Sequence, residues 1–339
     1  MKKARIFGIL LSVVMTTSVL FGCGKTTSTS APAVNDGKKI VLKLGHTGNP
    51  DHPYQEASLK FAEIVSEKTN GQIEVKVFPS DQLGKQNELV EGAQLGTVDM
   101  VLTSDTLLST FVPEIGILNL PFLFEDSEHV QNVLNGTVGD KIETKLEAKN
   151  LIAIGWWENG FRDITNSKRP IVVPADLKGL KIRTPSGAVF LDTFNMLGAS
   201  ATPMSFGELY SALQLGAVDG QENPTTHIVT QKFYEVQKYL SITHHIHVAE
   251  PLLMSKAVYN KLTPDQQKIL TDAGDEVSKW IFEKMGNLAK DEIKQIEAEG
   301  MLINNADIEA FKKATLPIYE KYEPEFGKDL IKEIQDTAK

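Results

Sequence analysis

The sequence has a single cysteine, at position 23 of 339 residues, so no disulfide can form within one chain. It also lacks the motifs G-x-S-x-G, G-x-x-x-x-G-K-[ST], G-x-G-x-x-G and H-E-x-x-H. Many hydrolases, nucleotide-binding enzymes and zinc proteases carry one of these patterns. We therefore expect a protein that is not an enzyme and that holds no cofactor and no metal.

Basic residues are in the minority. The chain has 35 Lys and Arg against 44 Asp and Glu, a net charge of −9. Residues 1–22 contain three basic residues and no acid, so their removal changes the net charge from −9 to −12. Such a protein is a poor match for nucleic acid or for an anionic membrane surface. A site for an anion must then depend on local cations.

The N-terminus has the pattern of an export signal. Lys2, Lys3 and Arg5 precede an apolar run at residues 6–21, which is too short for a membrane span. The run ends in Leu-Phe-Gly-Cys, which resembles a lipobox and predicts a lipid on Cys23. We assign residues 1–22 to a lipoprotein signal peptide and 23–37 to a lipidated, Ser/Thr-rich flexible tether. A plain cleaved signal with an incidental cysteine is the alternative.

The chain is long enough for two lobes of ordinary size, and a composition of 41% hydrophobic and 23% charged residues is typical of a globular protein. A six-residue pattern, Q-L-G-x-V-D, occurs at residues 94–99 and 214–219, which favours lobes of similar construction. We predict lobe I from residues 38–159 and 249–288, and lobe II from 160–248 and 289–339. The first crossing is predicted near Asn159-Gly160, where glycine can absorb a change in backbone angles.

A long helix is predicted from Thr263-Pro264, a capping threonine followed by proline, to Gly300. At 1.5 Å per residue it would extend roughly 50 Å, enough to span both lobes. Two further helices, broken at Pro324, are expected after Asp307.

The stretch at residues 176–224 predicts a β-α-β-α unit. It contains a strand at residues 181–184, stopped by Pro185, and an S-x-x-E capping box at Ser205 and Glu208. Two strand ends carry Arg183 and Asn223, and small ligands bind at strand ends in open α/β sheets.

Arg162 and Arg183 leave two interpretations open. An arginine in a buried strand must be paired, and a structural salt bridge with Asp163 or Glu222 would pair it. A guanidinium also accepts a ligand carboxylate through two parallel hydrogen bonds.

The segments KIRTP and GASATPMSFGELYSALQLGAVDGQENP resemble the extracytoplasmic solute-binding proteins of tripartite ATP-independent periplasmic (TRAP) transporters, the DctP family. The resemblance extends over roughly residues 39–332. It implies a two-lobe periplasmic-binding-protein-like α/β fold with a hinge and a long helix across both lobes. It also implies a receptor on the extracytoplasmic face of the bacterial cell membrane, which delivers a small organic acid to the TRAP membrane permease.

The resemblance also implies roles for individual residues. Arg183 matches the arginine that clamps the ligand carboxylate, Arg162 a second cleft arginine, Asn223 the asparagine beside the carboxylate, and Phe206 an aromatic that lines the pocket. Thr47, Gln86 and Ser104 match cleft positions of the first lobe. Nearby candidates with weaker support are His46, His52, Glu88, Asp105, Trp157 and Glu158.

The ligand class is a further expectation. The resemblance favours a sugar acid such as a hexuronate, with a four-carbon dicarboxylate as the alternative, and disfavours sialic acid. Two rival functions remain from the residues alone. A metal-binding lipoprotein would use His245 and His247, which share one face if they lie in a strand. A surface hydrolase would need a nucleophile beside a base.

Overall fold

The computed structural model describes residues 39–338. The predicted signal peptide, the tether and Cys23 lie outside the described residues. Within residues 39–338, no helix combines the length and the apolar character that a membrane crossing requires.

The described chain contains two β-sheets. In chain order the strands are β1 Ile40–Gly45, β2 Ile73–Phe78, β3 Met100–Leu102, β4 Leu151–Phe161, β5 Asp163–Asn166, β6 Lys181–Thr184, β7 Ser200–Pro203, β8 Gly220–Asn223, β9 Tyr239–Ile242, β10 His247–Ser255 and β11 Leu302–Asn305.

Helices cover the sheets and join their parallel strands. They are α1 Pro53–Lys68, α2 Gln86–Leu95, α3 Asp105–Leu108, α4 Ser127–Leu134, α5 Thr137–Ala148, α6 Ala188–Met196, α7 Leu209–Gln214, α8 Thr225–Thr230, α9 Lys256–Tyr259, α10 Pro264–Ala298, α11 Ile308–Phe326 and α12 Lys328–Asp336. Short 3₁₀ turns occur at Pro113–Asn119, Pro174–Leu177, Phe206–Glu208 and Phe233–Glu235.

The first sheet has the strand order β2-β1-β3-β10-β4 and the second β11-β9-β5-β8-β6-β7. In the first, β1 is parallel to β2 and β3, whereas β10 runs antiparallel to β3 and β4. In the second, β6 is parallel to β7 and β8, whereas β5 runs antiparallel to β8 and β9. The fold is thus the mixed α/β, two-lobe architecture expected from the sequence, with one sheet in each lobe.

The chain passes between the sheets at Arg162, which lies between β4 and β5. Gly160, two residues earlier, has φ +119°, a conformation that L side chains rarely adopt. The chain returns in the segment between β9 and β10, where His244 has φ 42°. The exact lobe boundaries stay a prediction.

Helix α10 is the predicted long helix, with Thr263 as its N-cap. Its N-terminal half packs against the first sheet so closely that a Cβ on Gly274 would lie 1.9 Å from the carbonyl oxygen of Ile154. Near its C-terminal end, Ile296 belongs to a core cluster of the second lobe. One continuous helix therefore contacts the cores of both lobes.

The repeated six-residue pattern has the same structural role twice. Gly96 and Gly216 end helices α2 and α7 with φ 76° and 68°. The two aspartates that follow each accept a backbone hydrogen bond from a strand: Lys43 donates to Asp99 Oδ2 (2.8 Å) and Lys181 to Asp219 Oδ2 (2.9 Å). The repeat is thus a helix-to-strand connection present in both lobes.

Two local predictions were wrong. Ser205 precedes a 3₁₀ turn without capping it through its side chain, and Glu208 instead binds Lys85 Nζ of the first lobe at 2.5 Å. The break between the last two helices lies at Gly327 (φ 84°), not at Pro324, which lies inside α11. These helices contact both lobes: Phe311 joins a second-lobe cluster, whereas Ile318 packs with residues of the first.

Candidate functional site

Strand ends from both sheets border one small space, which we term the inner cavity. The carboxyl ends of β1 and β3 bring Thr47 and Ser104 to it, and those of β6 and β8 bring Arg183 and Asn223. About 30 Å³ is open to the centre of a water-sized molecule. The lining residues are Thr47, Gln86, Ser104, Thr106, Asn159, Arg162, Arg183, Pro185, Phe206, Asn223, His227 and Glu250. All seven residues that the family resemblance placed in the cleft are among them.

Arg183 presents an uncompensated positive charge to this cavity. It is 3% exposed, and its Nε and Nη2 donate to the carbonyl oxygen of Met204 at 3.0 and 2.7 Å. Within residues 39–338 it forms no ion pair with a carboxylate. Burial, together with the charge of Arg162 and against the attraction of Glu222, lowers the pKa of Arg183 to about 10. A buried guanidinium whose remaining donors face a cavity is a site for an anion.

Arg162 is held differently. Its Nε and Nη2 donate to the two carboxylate oxygens of Glu222 at 2.6 and 2.9 Å, a bidentate buried pair. Burial acts to raise the pKa of Glu222. The charge of Arg162 and the hydrogen bond from His245 outweigh burial and keep this pKa below its ordinary value. The salt-bridge interpretation thus applies to Arg162 with Glu222, not with Asp163. Only Nη1, 3.5 Å from Asn159 Oδ1, remains loosely held at the cavity.

Asn223 is occupied by protein partners on both sides of its amide. Its Oδ1 accepts from Arg162 Nη2 at 2.8 Å, and its Nδ2 donates to Gln221 Oε1. The asparagine therefore lines the cavity while orienting the Arg162 guanidinium.

Glu250 is a cavity residue that the sequence interpretation missed. It lies on β10, is 1% exposed, and accepts a hydrogen bond from Asn159 Nδ2 at 2.7 Å. Burial is the main reason that the pKa of Glu250 rises to about 7; Asp105 adds to the effect, whereas Asn159, Tyr54 and, least, Arg162 oppose it. The sequence did offer a signal: a single acidic residue stands directly before the apolar segment Pro-Leu-Leu-Met of a predicted strand.

Two stacked histidines join the lobes beside the cavity. The rings of His52 and His227 lie 4.5 Å apart, and Phe206 meets His227 edge-on at 5.0 Å. Burial, with His46 adding, lowers the pKa of His52 to about 3, and burial lowers that of His227 well below its ordinary value. Both rings are therefore neutral here. His227, which was also missed, lies three residues after Pro224, the last residue of the Gln-Glu-Asn-Pro segment.

A larger space adjoins the inner cavity, and we term it the outer cavity. It offers about 500 Å³ to the centre of a water-sized molecule. The two spaces are continuous, because they share five lining residues: Thr47, Gln86, Arg183, Pro185 and Phe206. The predicted candidate Glu88 lines the outer cavity, with further charged residues: Asp81, Lys85 and Glu208.

Other predicted candidates lie away from both cavities. Trp157 is fully buried, packs edge-on against Phe61, and donates from Nε1 to the carbonyl oxygen of Gly274. It is a core residue because the alternation along β4 turns its ring toward helix α10. Trp156 packs in a different cluster and donates to Glu143 Oε1.

Three further candidates bind protein groups instead. Asp105 accepts from Asn119 Nδ2 and from the backbone of Ala249, both at 2.9 Å. Glu158 pairs with His247 at 3.0 Å, and His46 with Gln55 at 3.0 Å. They support the cavity wall rather than line it.

The two histidines of the metal hypothesis do not converge. His245 precedes β10 and approaches Glu222 at 3.3 Å, whereas His247 on β10 pairs with Glu158. Throughout residues 39–338, no group of three or more His, Cys, Asp and Glu side chains is placed to hold a metal ion.

Comparison with known proteins gives a consistent result. The family described as bacterial extracellular solute-binding protein, family 7 (DctP), matches residues 44–325. The crystal structure of a TRAP periplasmic solute-binding protein from Polaromonas sp. JS666 bound to D-erythronate is 40% identical, with a TM-score of 0.85, covering 88% of this chain and 98% of that one. A protein of the same description from Sulfitobacter sp. NAS-14.1, with bound β-D-galacturonate, is 33% identical, with a TM-score of 0.83, over 87% of this chain and 99% of that one. The C4-dicarboxylate-binding protein DctB of Bacillus subtilis (strain 168) is 32% identical over 89% of this chain and 87% of its own length.

Proposed function

Because this chain belongs to the bacterial extracellular solute-binding protein family 7, we propose that it is the extracytoplasmic receptor of a TRAP transporter and binds a small carboxylic acid. The observation that carries the proposal is Arg183, a buried guanidinium without a carboxylate partner in residues 39–338, which borders a cavity between two lobes. A ligand carboxylate would supply the missing negative charge.

The favoured ligand is a sugar acid such as a hexuronate. Its carboxylate would bind the free donors of Arg183 in the inner cavity, and its hydroxyl groups would meet the polar side chains that continue into the outer cavity. Structures of relatives with bound D-erythronate and β-D-galacturonate support this class. A four-carbon dicarboxylate, the class named for the Bacillus subtilis relative, is the second candidate.

Binding is coupled to lobe closure. Three contacts join the lobes around the cavity: Asn49 Nδ2 donates to the carbonyl oxygen of Thr230 at 2.6 Å, Lys85 pairs with Glu208, and His52 stacks on His227. A ligand stabilises this form only to the extent that it binds it better than an open one. A micromolar affinity needs about −8 kcal/mol, which a few charge-assisted hydrogen bonds can supply.

The closed, loaded receptor would present the acid unchanged to the TRAP permease for secondary-active uptake. A lipid on Cys23 would hold it at the membrane, with residues 23–37 as the tether. The acceptor of the acid is therefore a membrane protein, and no chemical step is assigned to the receptor itself.

A melting-temperature screen against a panel of aldonates, uronates and dicarboxylates tests the proposal. A ligand present at a hundredfold its Kd adds about 2.7 kcal/mol of stability. We expect stabilisation by sugar acids and none by the matching neutral sugars. Stabilisation by neutral sugars alone, or conversion of the bound acid during incubation, would overturn it.

A further inference from the structure

The cavity holds one more charged group than a simple anion site needs. Besides Arg162 and Arg183 it is lined by Glu250, whose carboxyl group is buried in the same space. Glu250 reaches the cavity because β10 pairs with β4 in a register that places it opposite Trp157, with a bulge next to it between Val248 and Ala249.

The groups around Glu250 offer it little positive charge. Its oxygen Oε2 accepts from the neutral amide of Asn159 at 2.7 Å. The other ionisable groups that influence it are Tyr54, Asp105 and Arg162. The neutral hydroxyl group of Tyr54 favours the ionised form of Glu250, whereas Asp105 opposes it. The guanidinium of Arg162 is already bound to both carboxylate oxygens of Glu222. No residue in the described part of the chain forms an ion pair with Glu250.

We propose that Glu250 restricts this site to acids with a single carboxylate group, because a second carboxylate in the cavity would lie against the buried, unneutralised carboxyl group of Glu250. The inference rests on the proposed function and narrows its ligand class to monocarboxylic hydroxy acids, such as aldonates and uronates.

A charge balance supports this selection. The Arg162–Glu222 pair is neutral, so Arg183 and Glu250 decide the net charge of the empty site. With Glu250 in its acid form, the site carries one positive charge, which one carboxylate cancels. A dicarboxylate leaves one buried negative charge, and ionisation of Glu250 adds a second beside the ligand. This second charge is the contribution of Glu250 to the selection. Buried charge without a partner is strongly unfavourable.

The acid form is accessible at neutral pH, since burial raises the pKa of Glu250 to about 7 and the charge of a bound anion acts in the same direction. A protonated carboxyl group also has a hydrogen to donate. It can therefore bind a hydroxyl oxygen of a sugar acid while its other oxygen accepts from Asn159.

Matched ligands test the inference by calorimetry on the full chain. D-erythronate and meso-tartrate differ in whether the second chain end is a hydroxymethyl or a carboxylate group, as do D-galactonate and galactarate. Of the two pairs, the one whose monocarboxylate binds more tightly is used. In that pair we expect the monocarboxylate to bind more than about tenfold better than the matching dicarboxylate, a difference of about 1.4 kcal/mol or more. In Glu250→Gln, which keeps the shape and removes the charge, this preference should shrink by about tenfold or more when both proteins are measured at about pH 8.5, where Glu250, with its pKa of about 7, is ionised.

A control variant isolates the effect. Glu143→Gln removes a half-buried carboxylate that accepts from Trp156, away from both cavities, and should leave the preference unchanged. If the wild-type protein binds tartrate or galactarate as tightly as the matching monocarboxylate, the inference fails while the receptor function stands. The same holds if Glu250→Gln folds and leaves the ratio unaltered. If no acid binds at all, the proposed function itself fails. Should Glu250→Gln not fold, the wild-type ratio is compared at about pH 6 and about pH 8.5, on either side of the Glu250 pKa of about 7, and a preference that does not grow with pH would overturn the inference.

Discussion

His52 of the first lobe and His227 of the second form a stacked pair, with ring centroids 4.5 Å and planes 28° apart. Each ring has one buried nitrogen, His52 Nε2 and His227 Nδ1, without a hydrogen-bond partner in the described structure. The stack tolerates this only while both rings are neutral, because two adjacent buried imidazolium groups would repel each other.

The stack predicts a pH dependence of ligand affinity. In this closed form, burial lowers the pKa of His52 from its ordinary 6.5 to about 3 and that of His227 well below 6.5. We expect opening of the lobes to expose the stack and to return both values toward 6.5. A group with a depressed pKa favours the closed form above its ordinary pKa and opposes it as the pH falls. Acidification below pH 6.5 should therefore weaken binding, by up to about tenfold per pH unit for each titrating ring.

The measurement compares the pH profile of Kd in the wild type with that in His52→Asn, whose amide can still cap α1. Glu250 has a pKa raised from 4.5 to about 7, so acidification between these values favours the closed form through this residue. The effect of the histidines is therefore read from the difference in Kd between the wild type and His52→Asn at each pH. His244→Asn, which changes an exposed histidine, is the control. Superimposable profiles for all three proteins would contradict the prediction.

Arg183→Ala should reduce ligand affinity by about 2–5 kcal/mol, because it removes a buried, charge-assisted partner of the carboxylate. Arg183→Lys should recover only part of this loss, since an ammonium group cannot bind the carbonyl oxygen of Met204 and a carboxylate through one planar fork. Calorimetric titration measures both. Arg169→Ala, which removes an arginine bound to the carbonyl groups of Asp176 and Lys178 on the surface of the same lobe, should not alter affinity. Equal affinity in Arg183→Ala would remove the carboxylate clamp from the proposal.

Two glycines of helix α10 should respond in opposite ways to alanine. In Gly274→Ala the new Cβ would lie 1.9 Å from the carbonyl oxygen of Ile154, so the helix must move away from β4 and stability should fall by at least about 1–3 kcal/mol. In Gly286→Ala nothing lies within 4 Å of the new Cβ, and helix propensity should add up to about 1 kcal/mol. Thermal unfolding of the two variants checks the direction of each change. Equal destabilisation would mean that the close approach at Gly274 has no energetic consequence.

Cys23→Ser should release the protein from the membrane fraction into the soluble fraction, because the lipid on Cys23 is the proposed attachment to the bilayer. Fractionation of cells that produce each form, together with labelling by a fatty-acid analogue, gives the result. Ligand affinity should be the same in both forms, since Cys23 lies outside residues 39–338, which contain both cavities. A serine variant that stays at the membrane and a wild type that takes up no label would exclude the anchor.

Local sequence patterns predicted much of the secondary structure. The strand at residues 181–184, the long helix after Thr263 and the two helix-to-strand repeats all form as expected. Each depends on residues close in sequence: a proline after a strand, a capping threonine, a glycine with positive φ. The capping box failed because Glu208 meets Lys85 from the other lobe, which no pattern within residues 205–208 can reveal.

The candidate site shows the same contrast between what the sequence predicts and what only the fold decides. The amino-acid order alone placed Arg183, Arg162, Asn223 and Phe206 in a cleft, through segments long enough to indicate the family. Folding decided which arginine is free: Glu222 comes within 2.6 Å of Arg162 because β5 and β8 are antiparallel neighbours, and Arg183 is left with a carbonyl oxygen. It also brought Glu250 and His227 to the cavity from strands and helices distant in sequence. Charge compensation depends on distances of a few ångströms between such elements, and these distances exist only once the sheets have formed.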